Sequence, residues 1–262
     1  MKSTRFRLDR FISMHTCISK RDVRQALAKK RITVDGVAAT DISSLIDQFS
    51  IVAVDGVPLD HTQPIYLMMN KAAGVVSATK DKKNRTVIDS LLEQVELEES
   101  EQGKDERDKF GLAKLTISTE DIRDLHIHGR LDFNTTGLLL LTNDGRWSRR
   151  LSHPDIGVVK RYFVTVEQPI TPEYHRIFSK GIYFPFEKIT TRAASLTQTA
   201  DNEAYIDLSE GRYHQIKRMF GHFQNKVLTI HRESVGATTL DPRLRAGQSR
   251  YLTADEIGNN DI

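Results

Sequence analysis

The stretch HIHGRLDFNTTGLLLLTNDGR, residues 126–146, sets one carboxylate, Asp132, two residues after Arg130 and ahead of a small polar loop and four consecutive leucines. An acid held at the start of a core strand can serve as a general base, as a nucleophile, or as a negative charge facing an electron-poor centre. It can equally bond only the backbone of its own turn, as Asp beside Asn134 and Thr135 commonly does. Glycosidic hydrolysis by paired carboxylates needs a second acid placed like Asp132, and the sequence offers none. Metal chemistry lacks its ligand spacing: the nine histidines form no H-E-x-x-H pair, and the single Cys17 excludes a cysteine cluster and an internal disulfide. A packing role between helices is expected for Cys17. Tyr162 in KRYFVTVE and Lys217 in EGRYHQIKRMF are the other side chains with chemistry to offer, each also readable as a packing residue or a surface cation.

The elements that must carry these groups can be read from periodicity. Gly137 to Thr142 is too short and too apolar for anything but a strand buried on both faces, followed by an Asp144-Gly145 turn and a short helix over Arg146 to Leu151. Asp132 therefore stands at the edge of a core strand, a rigid place from which to present a side chain. Tyr162 alternates with Phe163 and Val164 on a further strand. Ile216, Met219, Phe220 and Phe223 fall at helical spacing, which leaves Lys217 at the border of the packed stripe. Earlier in the chain, Ile65 to Met69 reads as a buried strand, with a turn through Gly74 and a second strand piece after it.

With 39% hydrophobic and 28% charged residues, the composition is that of a water-soluble globular protein. No apolar run approaches a bilayer's width, and the basic start MKSTRFRLDRF lacks the apolar core of a signal peptide, so a cytoplasmic location is expected. Charge is divided unevenly. Residues 1–31 hold ten Lys or Arg against Asp9 and Asp22, a balance of +8, which leaves −5 for the remainder. Clustered cations favour a polyanion, although a solvated basic helix face gives the same count. Leu8, Phe11 and Ile12 stand at helical spacing. Ser19 and Asp22 mark the start of a second helix, with Val23, Ala26 and Leu27 on one face and Lys20, Arg21, Arg24 and Lys30 left to solvent. Ile32 and Val34 then run into an Asp35-Gly36 turn, and IVAVDGVPL repeats the pattern at Asp55-Gly56. The stretch from Glu93 to Asp108 has eight acids and two bases and reads as part of a solvated insertion over about 93–124, its acidity opposing RNA contact.

Two helices followed by short strands around RITVDG resemble the S4 RNA-binding domain over about residues 5–60. That resemblance implies a basic helical face for structured RNA, made here of Arg5, Lys20, Arg21, Arg24, Lys30 and Arg31. The rest of the chain resembles the RNA pseudouridine synthases, in their RsuA branch. Four separated blocks carry the likeness in order: NKAAGVVSAT, HGRLDFNTTGLLLLTNDGRWSRRLSHP, KRYFVTVE and SEGRYHQIKRMFGHF. The fold so implied is α+β: a small N-terminal S4 (α-L) domain over 1–62, and a catalytic domain over 63–262 with a mainly antiparallel mixed sheet flanked by helices.

The resemblance also implies the chemistry. Pseudouridine forms when the bond from ribose C1′ to uracil N1 breaks and the base rejoins through C5, with no hydrolysis, redox change, cofactor or metal. By the family pattern Asp132 acts on the nucleotide, Lys217 places a cation beside it, and Tyr162 stacks on the extruded uracil. Arg130 helps move the nucleotide out of its stack, Ile216 packs on the base, and Arg212, His214 and Arg218 line the RNA side. The implied partner is ribosomal RNA or a pre-ribosomal particle, small-subunit 16S RNA first, with the chain acting as a monomer away from membranes. Large-subunit RNA, or a non-catalytic RNA-binding assembly factor, are the alternatives. The chain departs from the pattern at Ala72, where a proline is common, and in the length of the acidic stretch.

Overall fold

The computed structural model describes residues 6–16, 18–46, 50–59, 63–99, 111–153 and 155–259, and of Lys20 the backbone alone. Arg5, Cys17, the side chain of Lys20 and the middle of the acidic stretch, with the expectations attached to them, lie outside the described residues. The chain divides into two compact units: Met1–Pro64 with Asp144–Arg146, and Ile65–Asn143 with Trp147–Ile262.

In the first unit, strand β1 (Phe6–Arg7) leads into helix α1 (Leu8–His15), and α2 (Lys20–Ala28) follows. Ser19 caps α2: its hydroxyl oxygen accepts from the Asp22 amide at 3.3 Å and donates to the Asp22 carboxylate at 2.7 Å. Strands β2 (Ile32–Val34), β3 (Val37–Ala38), β4 (Leu45–Ile46), β5 (Val52–Val54) and β6 (Val57–Pro58) complete it. They form a small sheet in the order β3-β2-β5-β6 and a β1-β4 ribbon. Both Asp-Gly turns have positive φ at each central residue, 53° and 82° at Asp35-Gly36, 55° and 80° at Asp55-Gly56. This is the type I′ turn whose twist suits a two-residue hairpin. Leu8, Ile12, Val23, Ala26, Ile32 and Val52 share one core, so the helical stripes meet the sheet.

The second unit opens with β7 (Tyr66–Lys71), α3 (Val87–Glu99), α4 (Thr119–Asp124), β8 (His126–His128), β9 (Thr136–Thr142) and α5 (Gly145–Ser152). It continues through β10 (Lys160–Val166), α6 (Pro172–Phe178), β11 (Tyr183–Phe184), β12 (Ile189–Thr190), β13 (Ser195–Ala200) and β14 (Glu203–Leu208). Helix α7 (Gln215–Gly221), β15 (Val227–Val235), β16 (Thr238–Thr239), β17 (Ser249–Tyr251) and α8 (Ala254–Gly258) close it. Among the described residues one sheet of nine strands runs β13-β14-β10-β15-β9-β7-β17, with β8 on β9 and β16 on β15. Its pairs are antiparallel except β15 with β9. The four leucines of β9 show why a run and not an alternation is required: Leu139 and Leu141 enter one core with Leu67, Leu91 and Val164, Leu138 and Leu140 another with Met68 and Trp147. Both faces of the strand are covered. Gly137, where β9 meets β15, has φ 101°, and a Cβ there would lie 2.3 Å from the Arg232 carbonyl oxygen, so only glycine fits.

Two expectations fail. The acidic stretch is not a solvated insertion in its described parts: Val95 and Glu98 of α3 are buried, as are Leu112, Leu115, Ile117 and Ile122. Glu98 is held inside because its carboxylate accepts from the Leu115 amide at 2.9 Å and from the Gln94 side chain at 2.7 Å. The strand piece expected after Gly74 is a single parallel bridge, Val76 to Thr86. No helix among the described residues is long and apolar enough to cross a membrane.

Candidate active site

Asp132 lies in the turn that enters β9, and the backbone around it is tied down from beneath. Ser77, buried, donates its hydroxyl to the Leu131 carbonyl at 2.9 Å and accepts from the Leu131 amide at 3.1 Å. The Gly74 amide donates to the Phe133 carbonyl at 3.0 Å, and the Thr135 amide to the Asp132 carbonyl at 3.0 Å. Lys71, at the end of β7 and 0% exposed, sends its ammonium to three carbonyls: Ala72 at 2.9 Å, Phe133 at 3.2 Å and Thr135 at 2.9 Å. Burial pushes this ammonium down to about 8, against the attraction of the nearby Asp132 carboxylate, which works to raise it. By gripping Ala72, the ammonium also holds the turn that a proline would otherwise stiffen.

The carboxylate of Asp132 is about one-third exposed, and α7 supplies what faces it. Lys217 Nζ is 3.7 Å and His214 Nε2 3.5 Å from the same oxygen, Oδ2. Ile216, Met219 and Phe220 are buried, which fixes the helix roll and brings Lys217 at the stripe's border over the loop. His214 precedes the helix in the left-handed region, φ 51° and ψ 33°, a conformation that disfavours side chains with a Cβ and that recurs at functional sites.

Tyr162 is buried on β10, in the same apolar cluster as Leu131 and Ile216, the neighbours in sequence of Asp132 and Lys217. Arg130 is exposed, two residues before Asp132. Arg212 and Arg218 are exposed or half-buried and engaged: Arg212 Nε donates to Glu210 at 2.9 Å, and Arg218 makes a bidentate pair with Glu187 at 2.6 Å on both nitrogens. In the first unit, Arg21, Arg24, Lys30 and Arg31 are exposed, with Arg31 paired to Asp55.

Sequence reasoning missed Lys71, Ser77 and Arg232. Arg232 is 2% exposed and stands opposite Tyr162 on β15. Its Nε donates to the Leu138 carbonyl at 2.7 Å, its guanidinium lies 6.0 Å from the Tyr162 ring centre, and its Nη2 finds no partner among the described residues. It bridges β9 and β10 through their shared neighbour. A lysine closing a buried strand and an arginine within one are the signals that could have found these two residues.

A family profile described as RNA pseudouridylate synthase matches residues 65–222. The chain is 42% identical over 253 residues to the ribosomal small subunit pseudouridine synthase A of Pseudomonas aeruginosa, covering 96% of this chain and 98% of that protein. It is 35% identical over 254 residues to the protein of the same name from Escherichia coli K12, covering 97% and 99%. A crystal structure of a pseudouridylate synthase superposes with a TM-score of 0.66 at 31% identity, over 97% of this chain and 99% of that one.

Proposed function

We propose that this chain, which belongs to the RNA pseudouridylate synthase family, isomerises a uridine of small-subunit 16S ribosomal RNA to pseudouridine. The observation that carries the site assignment is Asp132, its Oδ2 within 3.7 Å of Lys217 Nζ and 3.5 Å of His214 Nε2, on a loop fixed by Lys71 and Ser77. In the isomerisation the C1′–N1 bond breaks, N1 takes up a proton, C5 bonds to C1′ and C5 loses its proton. Ribose C1′ becomes electron-poor as the base leaves. A carboxylate set by a rigid turn meets that centre, and the ammonium of Lys217 keeps the carboxylate aimed.

Tyr162 takes the face of the uracil once the nucleotide has swung out, with Ile216 packing beside it, and Arg130 fills or braces the vacated position. Arg212, His214 and Arg218 line the RNA side. The small-subunit preference rests on the names of the relatives, whose lengths the chain matches almost entirely. Residues 1–62 act as an S4-type module that docks on the ribosomal RNA or its precursor particle, residues 63–262 as the catalytic domain, and the chain works as a monomer in the cytoplasm, where ribosomes assemble. Pseudouridine mapping of both ribosomal RNAs, from cells with and without the protein, tests class and substrate together. One position of 16S RNA should lose its signal, and a loss confined to large-subunit RNA would overturn the substrate. Asp132→Asn, nearly isosteric, should abolish turnover with RNA affinity within about twofold of wild type; near-normal turnover would remove Asp132 from the chemistry.

A further inference from the structure

We propose that Tyr213 and Phe186 form an aromatic rim on which unpaired bases flanking the target uridine stack. The inference rests on the function proposed above and names how the RNA next to the reacting nucleotide is held.

Tyr213 is 75% exposed. One face of its ring lies on the His214 imidazole, with centres 3.8 Å apart and planes 21° from parallel. His214 in turn is the group 3.5 Å from Asp132 Oδ2. A short stack therefore runs outward from the carboxylate, imidazole first and phenol second, and ends in a ring that is largely open to solvent. The left-handed backbone of His214 works against this arrangement, so the surroundings hold it in place.

Phe186 is 94% exposed, between β11 and β12, where burial of so large a ring would otherwise be favourable. Its neighbour Glu187 takes both terminal nitrogens of Arg218, and Arg218 Nη1 also donates to the Tyr213 carbonyl at 3.4 Å. The same guanidinium sits 3.6 Å above the Phe184 ring. One arginine thus ties the β11-β12 turn to the segment carrying Tyr213. Arg218 has its charge met by Glu187, and the rings of Phe186 and Tyr213 beside this tie are left open, a surface on which bases can stack. An RNA occupant is favoured over a protein because the stack begins at Asp132: what lies on Tyr213 must be continuous with the molecule whose sugar reaches the carboxylate.

The test uses the full chain and a single-stranded RNA heptamer with a central uridine and 2-aminopurine at its 3′ neighbour. Wild type and Asp132→Asn should quench the probe through stacking, Tyr213→Phe should quench as well, and Tyr213→Leu should not. On ribosomal RNA that the wild type modifies, Tyr213→Leu should raise KM about tenfold with kcat within about twofold, Phe186→Ser should raise KM less, and Tyr213→Phe should restore the wild-type KM. Both residues are exposed, so thermal stability should be unchanged. Equal quenching by the Leu and Phe variants overturns the proposal, as does absence of quenching by wild type; either result would leave the rim to a protein partner. A fall in kcat for Tyr213→Leu without a change in KM also overturns it, since that is the mark of a ring that merely supports His214. Failure of the wild type to modify ribosomal RNA, with quenching intact, counts against the proposed function and leaves the rim standing.

Discussion

Asp132 and Lys71 are two charges at one loop, the first partly exposed upon it and the second sealed beneath it at the end of β7. Asp132 stood out through the family resemblance of the blocks around it, since the acid in its small polar turn reads equally well as bonding only its own backbone. Lys217 likewise came from the resemblance, because a lysine at the edge of an apolar stripe is by itself an ordinary surface cation. Lys71 was not legible, because a lysine behind Asn70 at the end of an apolar run reads as a solvated position, and its three acceptors are backbone carbonyls that no side chain announces. Its chemistry leads to a paired pH prediction. Below about 8, native and unfolded Lys71 both bind the proton; between about 8 and the ordinary 10.5, only the unfolded chain does. Stability from this group therefore rises with pH across that window. Turnover should move the other way, since a neutral amine cannot donate to all three carbonyls and the loop loosens. Denaturant unfolding and kcat measured at pH 7.5, 9 and 10 should diverge accordingly. Lys71→Met should lose about a hundredfold in kcat through misplacement of Asp132 and remove the stability gain. A parallel fall of kcat and stability in the wild type would refute the role.

At the scale of elements, strands and helices around the site follow from periodicity, and the errors have a common cause. In α3 a run of glutamates masks the stripe of Val87, Leu91 and Val95, and Glu98 is buried because a backbone amide from another segment needs its carboxylate. Non-local partners of this kind are not written in the local sequence. The β8-α5 contact shows the same. His126 and His128 alternate as expected, yet what decides the state of His128 is the helix packed on it. Its Nδ1 lies 3.2 Å from Ser148 Oγ and 3.3 Å from Ser152 Oγ, and its ring meets Trp147 edge-on. Burial, with Arg232 and Lys160 nearby, depresses His128 from 6.5 to about 3. As pH falls below 6.5 the unfolded chain takes up a proton that the native one refuses, so this contact loses stability progressively down to about pH 3. Chemical denaturation between pH 7 and 4 should show that loss, and His128→Gln, which cannot titrate, should flatten it. An identical acid slope in the variant would place the sensitivity elsewhere.

For the whole molecule, the deciding feature is where charge is free. The N-terminal 31 residues carry ten of the 38 basic side chains, but not all are available. Arg7 is engaged with Asp9 and Arg31 with Asp55, whereas among the described residues Arg21, Arg24 and Lys30 are exposed and hold no ion pair. Residues 32–64 add five acids and no base, so residues 1–64 carry +3 with their cations gathered at the start, while residues 65–262 balance at zero; the surplus attraction to a polyanion therefore falls to the first unit. Each phosphate neutralised releases condensed counterions, which makes the logarithm of affinity fall with that of salt concentration by about 0.7 to 0.9 per contact. If Arg21, Arg24 and Lys30 each meet a phosphate, replacing the three by Gln should make that slope shallower by about two. Affinity for ribosomal RNA should drop most at low salt, where counterion release is strongest. Filter binding or anisotropy at 50 to 300 mM KCl measures the slope directly. A variant that binds more weakly by the same factor at every salt concentration would show that these side chains act by shape or folding, and would move the electrostatic contact to another face of the chain.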